Sequence, residues 1–162
     1  MASRRQHSLP GVGTLAPGFR LSRLEGGEVT LAELVAAGPV LLVFYKISCP
    51  VCQMTMPYLD RLHRQGALPI YGISQNQPED TREFNQQFGV SFPTLLDSED
   101  ADFPGSNAYG LSSVPTMFLV EPDGQLARVI EGWNKIDMSW LAARAGTPLF
   151  LPGDNVPAWR AG

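Results

Sequence analysis

Apolar residues in this chain fall into short blocks, and the spacing within each block names the element it predicts. The run "PVLLVFY" (39–45) is continuous, β-branched and aromatic, which predicts a strand buried on both faces. "LPIYGIS" (68–74) predicts a second strand of the same kind. Between them, "CPVCQMTMPYLDRLHRQG" (49–66) reads as a helix, with Pro50 suited to the first turn and Gly66 to the stop. "PEDTREFNQQFG" (78–89) reads as another, with Pro78 and two acids at its start and Gly89 after it. Upstream, "FRLSRLEGGEVTL" predicts two short strands around Gly26-Gly27, and Thr30 caps a short helix that ends at Gly38. Downstream, residues 91–113 predict one short strand in a turn-rich stretch. "PTMFLVEPDGQLARVIEGW" then predicts a hairpin around Pro122-Asp123-Gly124, and Asn134 caps a last helix that stops at Gly146.

The predicted order is β-β-α, then β-α-β-α, then β-β-α. Strand–helix–strand units require parallel central strands, and the late hairpin adds antiparallel ones. The fold class is therefore α/β, a central mixed sheet with helices on both faces. Residues 15–146 form the domain, residues 1–14 a flexible arm, and residues 147–162 a Pro-rich tail packing on the surface.

Composition narrows the function. The chain has 162 residues, enough for one domain with a sizeable core, and a net charge of −4. Basic residues do not cluster beyond Arg4-Arg5, so a nucleic-acid surface is not expected. No apolar run reaches the length of a membrane span. No apolar stretch follows Arg4-Arg5 as a secretory signal requires, so a cytoplasmic location is expected, or a periplasmic one if the native chain is longer. A monomer is expected.

The chain contains two cysteines, Cys49 and Cys52, at the junction of the first buried strand and its helix. At a helix start, backbone N–H groups and the positive end of the dipole favour thiolate on Cys49. Cys52, one turn inside, can attack a mixed disulfide formed at Cys49. Pro50 and Val51 between them carry no charge. Two other readings compete. A zinc site needs four ligands, and only His7 and His63 are available to join the pair. The cysteines can also be small apolar residues of a core. Spacing and placement favour a redox pair, which carries its own electrons and needs no metal or organic cofactor.

"VLLVFYKISCPVCQMTMPYL" resembles the active-site strand and helix of the thioredoxin superfamily, with Pro57 at the position of its helix-kinking proline. "SSVPTMFLVEPDGQL" resembles the second hallmark, so Val114, Pro115 and Thr116 correspond to the cis-proline segment that lies against the cysteines and positions substrate. For Pro115 alone, a trans proline opening an edge strand is the competing reading. "LAPGFRLSRLEGGEVTLAEL" and "YGISQNQPEDTREF" are similar to the TlpA-like, redoxin (AhpC/TSA-related) branch. That resemblance implies an N-terminal β-hairpin extension and an insertion between the βαβ and ββα halves. It also implies thiol–disulfide exchange with protein disulfides or dithiols, and an upstream thiol reductant.

The departures are informative. The buried aspartate that thioredoxin has six residues before its first cysteine is Val43 here, and the branch's glutamate three residues after the second is Thr55. Ser48 stands where tryptophan is common. Lys46 can lend positive charge to the thiolate or can be a solvated lysine at a strand end. Met54, Glu131 and Trp133 can line the site, but read more simply as core or surface residues. Two other functions remain as alternatives. A peroxiredoxin-like peroxidase resembles this chain in fold but needs P-x-x-x-[TS]-x-x-C. The positions seven and three before Cys49 are Leu42 and Lys46, and those before Cys52 are Tyr45 and Cys49. A non-enzymatic redox-sensing binding module would use the same cysteines without turnover.

Overall fold

The computed structural model describes residues 8–66 and 68–162. The N-terminal hairpin is β1 (Arg20–Arg23) and β2 (Glu28–Thr30), turned at Gly26 and Gly27, both at positive φ. Thr30 caps α1 (Leu31–Val35), its hydroxyl accepting from the Glu33 amide. The two halves of the central unit follow as β3 (Val40–Tyr45), α2 (Pro50–Arg64), β4 (Ile70–Ser74) and α3 (Pro78–Gln87). Then come β5 (Thr94–Leu96), a 3-10 turn (Glu99–Ala101) and α4 (Pro104–Ala108). The last part is β6 (Thr116–Val120), β7 (Leu126–Glu131), β8 (Trp133–Asn134), α5 (Lys135–Ala145) and β9 (Trp159–Arg160).

Seven strands form one mixed sheet in the order β2-β1-β5-β4-β3-β6-β7. Strands β3, β4 and β5 are parallel, and β6 and β1 join them antiparallel on either side. β3 is central and buried at every position, as its unbroken apolar pattern requires. Burying six such side chains on both faces fixes the end of β3, and so fixes where the chain emerges toward α2. Phe44, Phe118 and Tyr109 stack edge-on or tilted beneath it, with centroids 4.8 to 5.7 Å apart.

Three segments carry detail that the sequence does not disclose. The turn-rich stretch contains α4, which the sequence hides because Pro104-Gly105 opens it. The buried Asp97 holds that start in place, its carboxylate accepting from the amides of Gly105 and Ser106. Residues 1–7 of the expected arm, His7 included, lie outside the described residues. The rest is tied to β7: Gly13 N–H donates to Leu126 O at 2.8 Å, and Leu126 N–H donates to Thr14 O at 2.9 Å. Within the tail, β9 pairs antiparallel with β8.

Candidate active site

β3 ends at the buried Tyr45, and the chain turns through Lys46, Ile47 and Ser48 into α2. Cys49 is the N-cap of that helix, with extended backbone at φ −88° and ψ 113° and Pro50 in the first turn. The first turn of α2 carries no acid, and its last turn carries Arg61, His63 and Arg64, so charge is placed in keeping with the dipole. Pro57 sits inside the helix without ending it.

The Cys49 sulfur accepts the Cys52 N–H at 3.2 Å and donates its thiol to the Val114 carbonyl at 3.4 Å. The two contacts suit different protonation states. An N–H donor accommodates a thiolate, whereas a carbonyl accepts only from a thiol. Both cysteines are free; Cys49 is half-buried and Cys52 is completely buried. Burial pushes the Cys52 thiol pKa up, and the hydrogen bond to Cys49 adds to the rise; the Lys46 backbone and charge oppose it more weakly.

The Val114–Pro115 bond is cis, and Val114, Pro115 and Thr116 are all buried beside the cysteines. Thr116 does not aim its hydroxyl outward; it donates to the Ser113 carbonyl at 2.9 Å and closes the loop on itself. What this segment offers at the sulfur is the backbone of Val114.

Thr55 is completely buried and its hydroxyl donates to Val51 O at 2.7 Å, so its proton is committed to the helix backbone. Lys46 is exposed, and its carbonyl accepts from the Cys49 amide at 3.3 Å. Val43 lies mid-strand between Gly72 and Met117, wholly buried. His63 packs its ring against Phe92 near the other end of α2, about 16 Å along the axis from Cys52. Among the described residues no group of three His, Cys, Asp or Glu side chains converges. Trp133 is core: it is wholly buried, its ring 5.4 Å from that of Tyr58, and its indole N–H donates to Pro157 O. Met54 is half-buried and Glu131 exposed.

Two residues beyond the expected set shape the site. Asn76 Oδ1 accepts the Ile47 N–H at 3.0 Å, and Gln53 Nε2 donates to the Ile47 carbonyl at 3.0 Å. Together they clamp both sides of the peptide that leads to Cys49. In sequence Asn76 reads as an ordinary loop residue after β4 and carries no signal, and Gln53 reads as a solvated helix position whose only signal is adjacency to Cys52.

The AhpC/TSA family model matches residues 12–129. Over 126 residues the chain is 35% identical to the thiol–disulfide oxidoreductase ResA of Geobacillus thermodenitrificans, covering 75% of this chain and 70% of the relative. The ResA of Halalkalibacterium halodurans is 33% identical over 132 residues, 77% of this chain and 71% of the relative. In three dimensions the thioredoxin domain of a thiol–disulfide oxidoreductase from Bacteroides vulgatus superposes with a TM-score of 0.72 at 21% identity, over 86% of this chain and 99% of that one. The peroxidoxin BcpB of Mycobacterium tuberculosis superposes with a TM-score of 0.69 at 21% identity, over 83% of this chain and 94% of that one, a likeness of fold. With a family model spanning most of its length, and relatives at about one-third identity over three quarters of it, the chain belongs to the AhpC/TSA family and is one of its thiol–disulfide oxidoreductases.

Proposed function

We propose that Cys49 is the attacking sulfur and Cys52 the resolving sulfur in exchange with protein disulfides, and that the Val114 backbone positions the partner chain. One observation carries this reading: the half-exposed sulfur at the helix N-cap holds the amide of a second cysteine whose own sulfur is wholly buried. The Cys49 thiolate attacks one sulfur of a substrate disulfide. A Cys49–substrate S–S bond forms, the substrate S–S bond breaks, and the other substrate sulfur leaves as thiolate and takes a proton from solvent. Cys52 then gives up its proton and attacks the Cys49 sulfur. The Cys49–Cys52 bond forms, and the second substrate sulfur leaves and is protonated in turn. Two electrons pass from the pair to the substrate, and a separate thiol donor reduces the pair again. The pair itself is the electron carrier, so the reaction calls on no metal or organic cofactor.

Asn76 and Gln53 act as positioning residues, holding the turn so that the Cys49 sulfur stays within reach of the Cys52 N–H. The position a peroxidase hydroxyl would need, three residues before Cys49, is the exposed Lys46, which argues against peroxide as substrate. The test is reduction of insulin disulfides run beside reduction of hydrogen peroxide. Disulfide reduction with peroxide loss at background is expected. Peroxide consumption without disulfide reduction, or reversible Cys49–Cys52 oxidation without turnover, would overturn the reading.

A further inference from the structure

The segment 157–162 runs along β8 to the cis-proline segment beside Cys49. Trp133 pairs with Arg160 and Asn134 with Trp159, the Lys135 amide donates to Ala158 O at 2.9 Å, and the Trp133 indole donates to Pro157 O at 2.7 Å. The path ends against the cis-proline segment. A Cβ on Gly162 would overlap the Val114 carbonyl oxygen and lie 3.2 Å from the Pro115 nitrogen. Gly132, at φ +68°, lies under the same path: a Cβ there would overlap Arg160 O and lie 3.1 Å from the Gly162 nitrogen. Glycine at both places is what lets the segment lie this close. The carbonyl that Gly162 crowds is the one that accepts the Cys49 thiol.

An extended stretch of protein joined to Cys49 would need this same space beside Val114. The segment that now fills it is lightly held. Its ladder is two residues long, Trp159 is 61% exposed, and Ile136, which lines the same surface hollow, is 77% exposed. We propose that residues 157–162 form a strap that determines substrate specificity by occupying the cis-proline edge in place of substrate backbone. A small disulfide reaches the half-exposed Cys49 without disturbing the strap. A protein segment has to displace it, and the fraction of molecules with the strap off limits that reaction. This inference rests on the roles proposed for Cys49 and Val114.

The test uses the full chain with Gly162→Val, which sets a side chain against the Val114 carbonyl, and separately with Arg160→Pro, which removes an N–H from the ladder. Reaction with oxidised glutathione by the unaltered chain checks the exchange reading by itself. Both variants should then speed the reaction with insulin about tenfold while leaving that with oxidised glutathione within about twofold. An insulin rate that stays the same or falls, with the glutathione rate intact, overturns the strap. A second measurement leaves the strap sequence untouched. In Cys52→Ser trapped as a mixed disulfide, hydrogen exchange at the Arg160 amide, which faces Trp133 across the ladder, should become fast when the partner is an insulin chain and stay slow when it is glutathione. Slow exchange in both complexes overturns the proposal.

Discussion

Cys52 carries the chemical difficulty of this site. It must lose a proton to resolve the mixed disulfide, yet its thiol is wholly buried and burial raises its pKa. The thiol is therefore protonated near neutral pH, and the thiolate fraction grows about tenfold per pH unit below its pKa. In single-turnover experiments, release of the second substrate sulfur should rise with that slope between about pH 6 and 9. A flat profile would mean that another group already takes the proton. Thr55 stands where the branch commonly has an acid, but its hydroxyl donates to Val51 O. Thr55→Val should therefore leave this profile within about twofold, since it removes a bond to the helix backbone and no proton acceptor. A tenfold slower release would place the Thr55 hydroxyl on the path of the Cys52 proton.

At the scale of elements, the turn between β3 and α2 is held on one side by Gln53 of α2 and on the other by Asn76, distant in sequence. Asn76→Ala frees the Ile47 amide and loosens the peptide that aims Cys49. It should lower kcat/KM with insulin about tenfold, at a stability cost near 1 kcal/mol. Lost stability with unchanged kcat/KM would show that the turn holds its shape without Asn76. This clamp illustrates what the sequence could and could not disclose. β3 was legible because six consecutive apolar residues have few alternatives to a buried strand, and α2 because Pro50 and Gly66 mark its ends. The cysteine pair and the cis-proline segment were legible because fixed residue types recur at fixed spacing. Asn76, Gln53 and Asp97 were not, since each acts through hydrogen bonds that only the folded chain forms. The β8–β9 ladder was hidden for a similar reason: two residues give no periodicity, and Pro, Gly and Trp in the tail read as irregular chain.

For the whole molecule, the buried titratable groups make stability depend on pH in one direction. Burial raises the pKa of Cys52, and it pushes the Tyr45 hydroxyl, which donates to Asn85 Oδ1 at 2.7 Å, up to about 12. The unfolded chain would ionise a thiol near ~8.5 and a phenol near ~10, while the folded chain keeps both protons. Above about pH 9 the unfolded state binds fewer protons than the folded state, so unfolding free energy falls as pH rises; below it these groups are neutral in both states. Thermal unfolding from pH 7 to 11 should show Tm level and then declining, and Cys52→Ala should make the onset of the decline later and shallower. A Tm that rises across this range would contradict the burial of these groups.

The same burial pattern, with one sulfur at the surface and one inside, gives the molecule its proposed division of labour, and covalent trapping tests it most directly. Cys52→Ser and Cys49→Ser are each reduced, mixed with a disulfide-bonded protein, quenched with acid, and the adducts mapped by mass spectrometry. Cys52→Ser should accumulate a mixed disulfide through Cys49, and Cys49→Ser should accumulate almost none. Adducts through Cys52 in the Cys49→Ser protein, with none in the other, would contradict the assignment of the attacking sulfur.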